Sequence, residues 1–314
     1  MPELKAQALP DTDAAFAEAI ARMPVVLGYA LRSDADGGTP ASKAGFAYAG
    51  SNPAASLPGF PSALKSLDML EAQAAGSGSL SLSARDTSGI VRRIPMLVTN
   101  GEALFPSLSM EALRVAQGAS GYIVRSADAS GELAVGGAAV TEVKVGAVSF
   151  PTTAIGELWV YFNADRKDRY ISAADVLDPA KRQELQSEIE GRIIYVGTSS
   201  IGLFDIRTTP LGELVPGVSV HAQATEQILS GNFLARPDWA YGAEIIATVA
   251  IGLIVIALVL AVGAGWAALI GGVAAALYAG RCICFARKGC CSIRSIPRPR
   301  TSSSMPPRPR CSMC

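Results

Sequence analysis

The chain has 314 residues, 50% of them hydrophobic and 17% charged, below the roughly 25% charge usual in soluble domains. Lys plus Arg and Asp plus Glu each total 27, so the formal charge is zero and no basic surface asks for nucleic acid. The six cysteines (Cys282, Cys284, Cys290, Cys291, Cys311 and Cys314) all follow an apolar run that begins near Ile245, which excludes a disulfide framework and thiolate metal sites from the body of the protein.

The opening MPELKAQALP has neither the basic start nor the apolar core of a signal peptide, so the natural start is expected upstream. Asp13 is placed to cap a short helix with Phe16 and Ile20 on one face. Val25–Ala30 reads as a buried strand, and a Gly-, Pro- and Ser-rich loop follows from about Ser33 to Ser62. Ser79–Ser83 alternates as a half-exposed strand, and Ile94–Val98 reads as another. Pro106 opens a helix that reaches Arg114 and stops at Gly118. From Gly131 to Ser149 small, β-branched and polar residues alternate, an antiparallel excursion with Gly136-Gly137 at its turn.

Leu158–Phe162 is then a strand, Asp178-Pro179 opens a charged helix to Glu190, and Ile193–Gly197 is a second apolar strand. Strand, helix, strand predicts a right-handed crossover and a parallel pair. A last helix runs from about Val218 to Leu229 and stops at Gly231.

Ile245–Val262 carries no charge, and at 1.5 Å per residue it spans roughly 27 Å, close to the hydrocarbon thickness of a bilayer. Trp239 and Tyr241 stand just before it, where interfacial aromatics belong. Gly263-Ala264-Gly265 breaks the run, and a second apolar stretch follows from Trp266. Two membrane helices are therefore expected, at 243–262 and 266–286. Arg281, Arg287 and Lys288 favour the cytoplasm for the far end, which with two spans puts the body in the cytoplasm and with one or three puts it outside.

The search for catalytic patterns is negative. Val196–Gly202 follows an expected strand as a phosphate loop would, but Leu203 stands where such a loop needs lysine. There is no Gly-x-Ser-x-Gly elbow. His221 is the single histidine, too few for an ordinary zinc site. It could pair with Asp205 in a triad, but nothing places a nucleophile. Its other readings are a hydrogen-bonded structural residue, a ligand contact or a pH-sensitive group. Asp86, Arg92 and Arg93 are a candidate anion surface, set against ordinary solvated charges. Thr198, Asp205 and His221 are the candidate ligand contacts; no catalytic residue, metal or cofactor is expected.

Several segments together resemble the CHASE2 family of sensory domains. They are Asp86–Pro95, Phe105–Leu108, Ser172–Leu177, Arg192–Ser199, Gly202–Asp205, Thr209-Pro210, Pro216–Val218, His221-Ala222, Gln227–Gly231 and Arg236-Pro237. The resemblance covers about Leu9 to Tyr241. It implies an extracytoplasmic α/β domain, a mixed sheet with flanking helices, over 1–240, followed by membrane helices and a cytoplasmic cyclase or kinase. It places the chain in the plasma membrane. Expected partners are the membrane, a small-molecule or envelope ligand, and a second copy of the chain.

Relative to that plan the first membrane helix and the effector are missing. The tail over 290–314 has five Arg, no acid and four Pro-Arg pairs, the composition of a disordered basic segment. Members of the family often read Leu-Leu-Phe-Asp-Pro-Val-Tyr-Pro where this chain reads Cys290–Pro297, and a one-base shift converts one into the other. The tail is thus expected to be out of frame, with a basic cytoplasmic tail as the alternative. Two further functions are weighed: a membrane-tethered scaffold, and an extracytoplasmic hydrolase.

Overall fold

The computed structural model describes residues 11–83, 86, 89–130, 139–199, 205–234, 239–262 and 265. The chain divides into two units, Met1–Ala235 and Arg236–Cys314. The first runs α1 (Thr12–Ala21), β1 (Val26–Arg32), β2 (Gly45–Ala49), β3 (Ser62–Leu64), α2 (Asp68–Gln73), β4 (Gly76–Ser79), β5 (Arg93–Pro95), β6 (Leu97–Thr99), β7 (Leu104–Pro106) and α3 (Leu108–Ala116). It continues β8 (Gly121–Ser126), β9 (Val140–Val145), β10 (Val148–Pro151), β11 (Glu157–Trp159), α4 (Ala173–Leu177), α5 (Arg182–Ile189), β12 (Ile206–Thr208), β13 (Leu214–Pro216) and α6 (Gly217–Ser230). The second unit contributes α7 (Trp239–Val262).

The unit is mixed α/β, built from several small sheets. One has the order β3-β1-β4, with β1 parallel to β4 and antiparallel to β3; a larger one has the order β10-β9-β8-β2. Three two-stranded ribbons, β11-β5, β12-β13 and β6-β7, complete it. Helix α3 starts where Ser107 Oγ accepts the Met110 N–H, and it buries Leu108, Met110 and Leu113. Met110 and Leu113 join Ile94, Met96, Val124, Val143 and Phe150 from the strands and Val220, Ala224 and Ile228 from α6 in one apolar core. Helix α6 ends as its sequence predicts: Gly231 takes the left-handed conformation, φ 67°.

Elsewhere the structure differs from expectation. Asp11, not Asp13, caps α1, its Oδ1 accepting from the Asp13 and Ala14 amides, and Ala17 joins Ile20 on the buried face while Phe16 is exposed. The strand expected over Ser79–Ser83 lies earlier, at β4, where all four residues are buried. The hairpin β9–β10 turns at Gly146, φ 56°; Gly136 and Gly137 fall outside the described residues.

The expected parallel crossover does not form. Strand β11 pairs antiparallel with β5, Leu158 opposite Ile94. Ile193–Gly197 is extended but joins no described ladder, with Ile194 and Val196 exposed at 50% and 92%. The physical reason is visible in α5. A crossover helix holds two parallel strands together by burying a face on their sheet, and α5 buries no residue.

Helix α7 has 24 residues and one charged side chain, Glu244. Among the described residues, no helix is long and apolar enough to cross a membrane; within α7 the side chains described are those of Gly242–Ala257 and Leu260. The second expected span and the basic tail lie outside the described residues.

Gly78 in β4 faces the start of α3 so closely that a Cβ would sit 2.6 Å from Leu108 Cα and 2.8 Å from the Ser107 carbonyl oxygen. Both neighbours are backbone and cannot swing away. Gly78→Ala is expected to cost about 2–3 kcal/mol in urea denaturation, where Gly212→Ala, in open space but at φ 80°, costs about 1 kcal/mol.

Candidate functional site

A cavity of about 690 Å³ opens between the segment Leu80–Ser83, the segment Val196–Thr198 and the first turn of α6. Its volume is in the range of ordinary small-molecule sites. Three residues singled out in the sequence, Thr198, Asp205 and His221, all line it.

Each is placed by local rules. Asp205 immediately precedes β12 and Arg207 is its second residue, so the alternation of a strand puts both side chains on one side. Val218 and His221 are three apart on α6 and share a helix face. Thr198 follows the extended run whose inward residue, Tyr195, hydrogen-bonds to Thr225 at 2.5 Å (Oη to Oγ1).

His221 forms the floor and is 1% exposed. Its Nε2 lies 3.2 Å from the Leu80 carbonyl oxygen, which can only accept, so Nε2 carries the proton. Ser109 Oγ, from α3, lies 3.1 Å from Nδ1 and 3.0 Å from the His221 carbonyl. The neutral ring thus donates from Nε2 to Leu80, while the single Ser109 proton is shared between Nδ1 and the His221 carbonyl. Burial pushes its pKa down from 6.5 to about 4, with the Leu80 carbonyl partly opposing.

The carboxylate of Asp205 lies 3.8 Å from the Arg207 guanidinium, beyond hydrogen-bond reach. Arg207 Nε is buried and has no partner among the described residues. Across the cavity Asp86 is fully engaged: its Oδ2 accepts from the Arg92 amide at 2.8 Å and the Arg93 amide at 3.3 Å. Arg93 stands 3.3 Å from Asp86 and 3.2 Å from Glu157, with its guanidinium 4.9 Å from the Trp159 ring centroid. Two carboxylates and a ring face thus surround that cation. Of the anion surface weighed for Asp86, Arg92 and Arg93, the structure ties Asp86 and Arg93 into an ionic cluster with Glu157, in which Arg93 Nε is left without a described partner, and Arg92 donates to the Ile90 carbonyl.

The triad geometry is not met. Ser109, beside the imidazole, is completely buried, and the nitrogen that a carboxylate would orient is held by the Leu80 carbonyl. Among the described residues no three His, Cys, Asp or Glu side chains gather as a metal ion would require. Sequence reasoning missed Arg207 and Ser81. Arg207 had one available signal, its position two residues after Asp205 in a short β-pattern.

The described residues thus form a mixed α/β unit with one cavity lined by aliphatic and charged side chains and, among them, neither triad geometry nor a metal cluster. The family profile described as the CHASE2 domain matches residues 2–262, and the chain belongs to that family. CHASE2 domains are sensory, non-catalytic domains of signalling receptors, typically extracytoplasmic. No curated protein and no solved structure matches the chain.

The buried imidazole makes stability pH-dependent. With a folded pKa of about 4 against 6.5 unfolded, the unfolded chain takes up the proton first as pH falls. Stability from this group is thus intact above pH 6.5 and declines between pH 6.5 and about 4, by about 3 kcal/mol at 1.36 kcal/mol per unit. Thermal unfolding midpoints of wild type and His221→Gln across pH 4–7 check this: the variant is expected to show a flatter profile.

Proposed function

We propose that this chain is the input half of a transmembrane signalling receptor, in which the cavity over α6 receives an extracytoplasmic ligand and α7 lies in the membrane. The observation that carries the reading is continuity along the chain. The cavity is floored by the first turn of α6, and α6 ends at Gly231, eight residues before α7 begins at Trp239. A ligand that binds one position of α6 better than another shifts the population between them by its difference in affinity, and by no more.

Membrane embedding of α7 is supported by its length and composition. Twenty-four residues make about 36 Å of helix, enough to cross roughly 30 Å of hydrocarbon. Its residues from Ile245 onward are uncharged. A second span over 266–286 and a cytoplasmic cyclase or kinase as the output partner complete the proposed receptor. The hydrolase reading lacks support from the geometry at His221, where the neighbouring hydroxyl is inaccessible.

Two measurements test this. Carbonate washing of vesicles is expected to leave the chain in the membrane pellet; release into the supernatant overturns the receptor reading. In a fusion with an export signal before Met1 and an adenylate cyclase catalytic domain after Val262, Thr198→Trp fills the cavity from its exposed wall. It is expected to change cyclic AMP output by about fivefold or more, and unchanged output rules out the cavity as the input.

A further inference from the structure

The geometry points to a ligand class for this cavity: a zwitterionic α-amino acid, its ammonium on Asp205, its carboxylate on Arg207 and an aliphatic side chain against Leu82, Val91, Val196 and Val218. This inference rests on the cavity being the sensor's ligand site and goes on to say what fills it.

The first argument is charge balance. The Asp86 carboxylate is already taken up by the Arg92 and Arg93 amides and by the Arg93 guanidinium it shares with Glu157, and His221 is neutral above its lowered pKa. That leaves one anion and one cation facing the space, Asp205 and Arg207. A ligand of net charge leaves one charge at this wall uncompensated, whereas a net-neutral ligand with both charges satisfies each. The second argument is spacing. The two groups stand 3.8 Å apart, too far to bond each other and close enough for one small molecule to bridge. An α-amino acid carries its ammonium and carboxylate on one carbon, and each lies within hydrogen-bond reach of its opposite number when the molecule straddles the pair.

The third argument is that neither group has a described charged partner closer than the long ion pair they make with each other. Arg207 Nε is buried and unpaired among the described residues. Buried donors are nearly always satisfied, and a carboxylate can take two guanidinium N–H groups at once. The Asp205 carboxylate has no nearer cationic partner than Arg207 among the described residues.

The remainder of the lining suits the rest of such a molecule. Leu82, Val91, Val196 and Val218 are aliphatic, and no Phe, Tyr or Trp is among the described lining residues. Among the described residues a flat heterocycle finds no ring to stack on, while a branched aliphatic side chain finds apolar contacts on both walls. Thr198 and Ser81 add hydroxyls at the rim.

The test uses the full chain in detergent micelles and its thermal unfolding midpoint. The probes are the twenty common α-amino acids, added singly at millimolar concentration. Each active one is then compared with the amine lacking its carboxylate and the acid lacking its ammonium. At least one aliphatic amino acid is expected to raise the midpoint by about 5–10 °C when present at 100 times its dissociation constant, and neither single-charge analogue is expected to do so. Arg207→Gln and Asp205→Asn, whose own midpoints report that they fold, are expected to lose the shift.

An unmoved midpoint with all twenty, or a shift that persists in both variants, overturns the assignment. The fused cyclase separates the two levels of failure. If Thr198→Trp alters output while no amino acid binds, the ligand class alone is wrong; if Thr198→Trp leaves output unmoved, the sensor reading itself has failed.

Discussion

The fold depends on a buried ion pair at the centre of α3. Glu111 and Arg114, one turn apart, are 1% and 8% exposed and bond through Arg114 Nε at 2.9 Å and Nη2 at 2.6 Å. Taking such charges out of water costs several kcal/mol each, so the pair is tolerable only when every remaining polar atom is met. It is met by three residues, one in β8 and two in loops. Tyr122 of β8 donates its hydroxyl to Glu111, and Arg114 donates to the Ala119 carbonyl at 3.1 Å and the Ala75 carbonyl at 2.9 Å. Ala75 leads into β4 and Tyr122 lies in β8, so one ion pair ties α3 to both larger sheets. Gly76 follows from the same constraint, because a side chain there would collide with the Glu111 carboxylate. The Tyr122 and Tyr29 hydroxyls are both driven far above the usual phenol range, chiefly by burial and then by the Glu111 charge, and so act only as neutral hydrogen-bonding groups.

The same helix fixes the cavity. Ser109, two residues before Glu111, reaches the other way and holds both the ring and the carbonyl of His221. Helix α6 is thereby anchored to α3 at the residue that floors the cavity. Thr225, one turn further along α6, hydrogen-bonds to Tyr195, whose pKa burial pushes up to about 12. Beneath the cavity His221, Ser109, Thr225 and Tyr195 are thus neutral at physiological pH and engaged with one another or with backbone, and Asp205 and Arg207 bring the loosely paired charges to its wall.

What the sequence revealed was local. The stop at Gly231 and the helix before it, read as Val218–Leu229 and found as Gly217–Ser230, are written in residues within a few turns of each other, whereas the start read at Pro106 fell early, because Pro106 closes β7 and Ser107 caps α3. The approach of Thr198, Asp205 and His221 could be anticipated because they fall in a stretch resembling one family. What escaped was non-local. Strand β11 chose β5, more than sixty residues upstream, and nothing in Leu158–Phe162 distinguishes that partner from Ile193–Gly197. The latter has the composition of a strand, but composition does not supply a neighbouring edge, and α5 has no apolar face to bring one. The ionic cluster at Arg93 was hidden for the same reason, since Glu157 and Trp159 come to it only through that pairing.

These constraints bear on how an occupied cavity could be felt beyond it. Helix α6 has no side-chain cap and no acidic residue in its first turn. Its first amide, on Gly217, is instead held by the backbone carbonyl of Asp205 at 2.6 Å. The residue whose side chain faces the cavity is therefore the one whose main chain holds the start of the helix. Any force that draws the Asp205 carboxylate toward a ligand acts on that hydrogen bond with no intervening side chain. Beneath it the His221–Ser109 contacts resist displacement, because breaking them leaves buried polar atoms unpaired at a cost of about 1–3 kcal/mol each. A small movement at the wall is then opposed at the floor, and the helix is left with a choice between two packed positions rather than a continuous drift. Two packed positions of the helix that precedes α7 are what a signalling input needs.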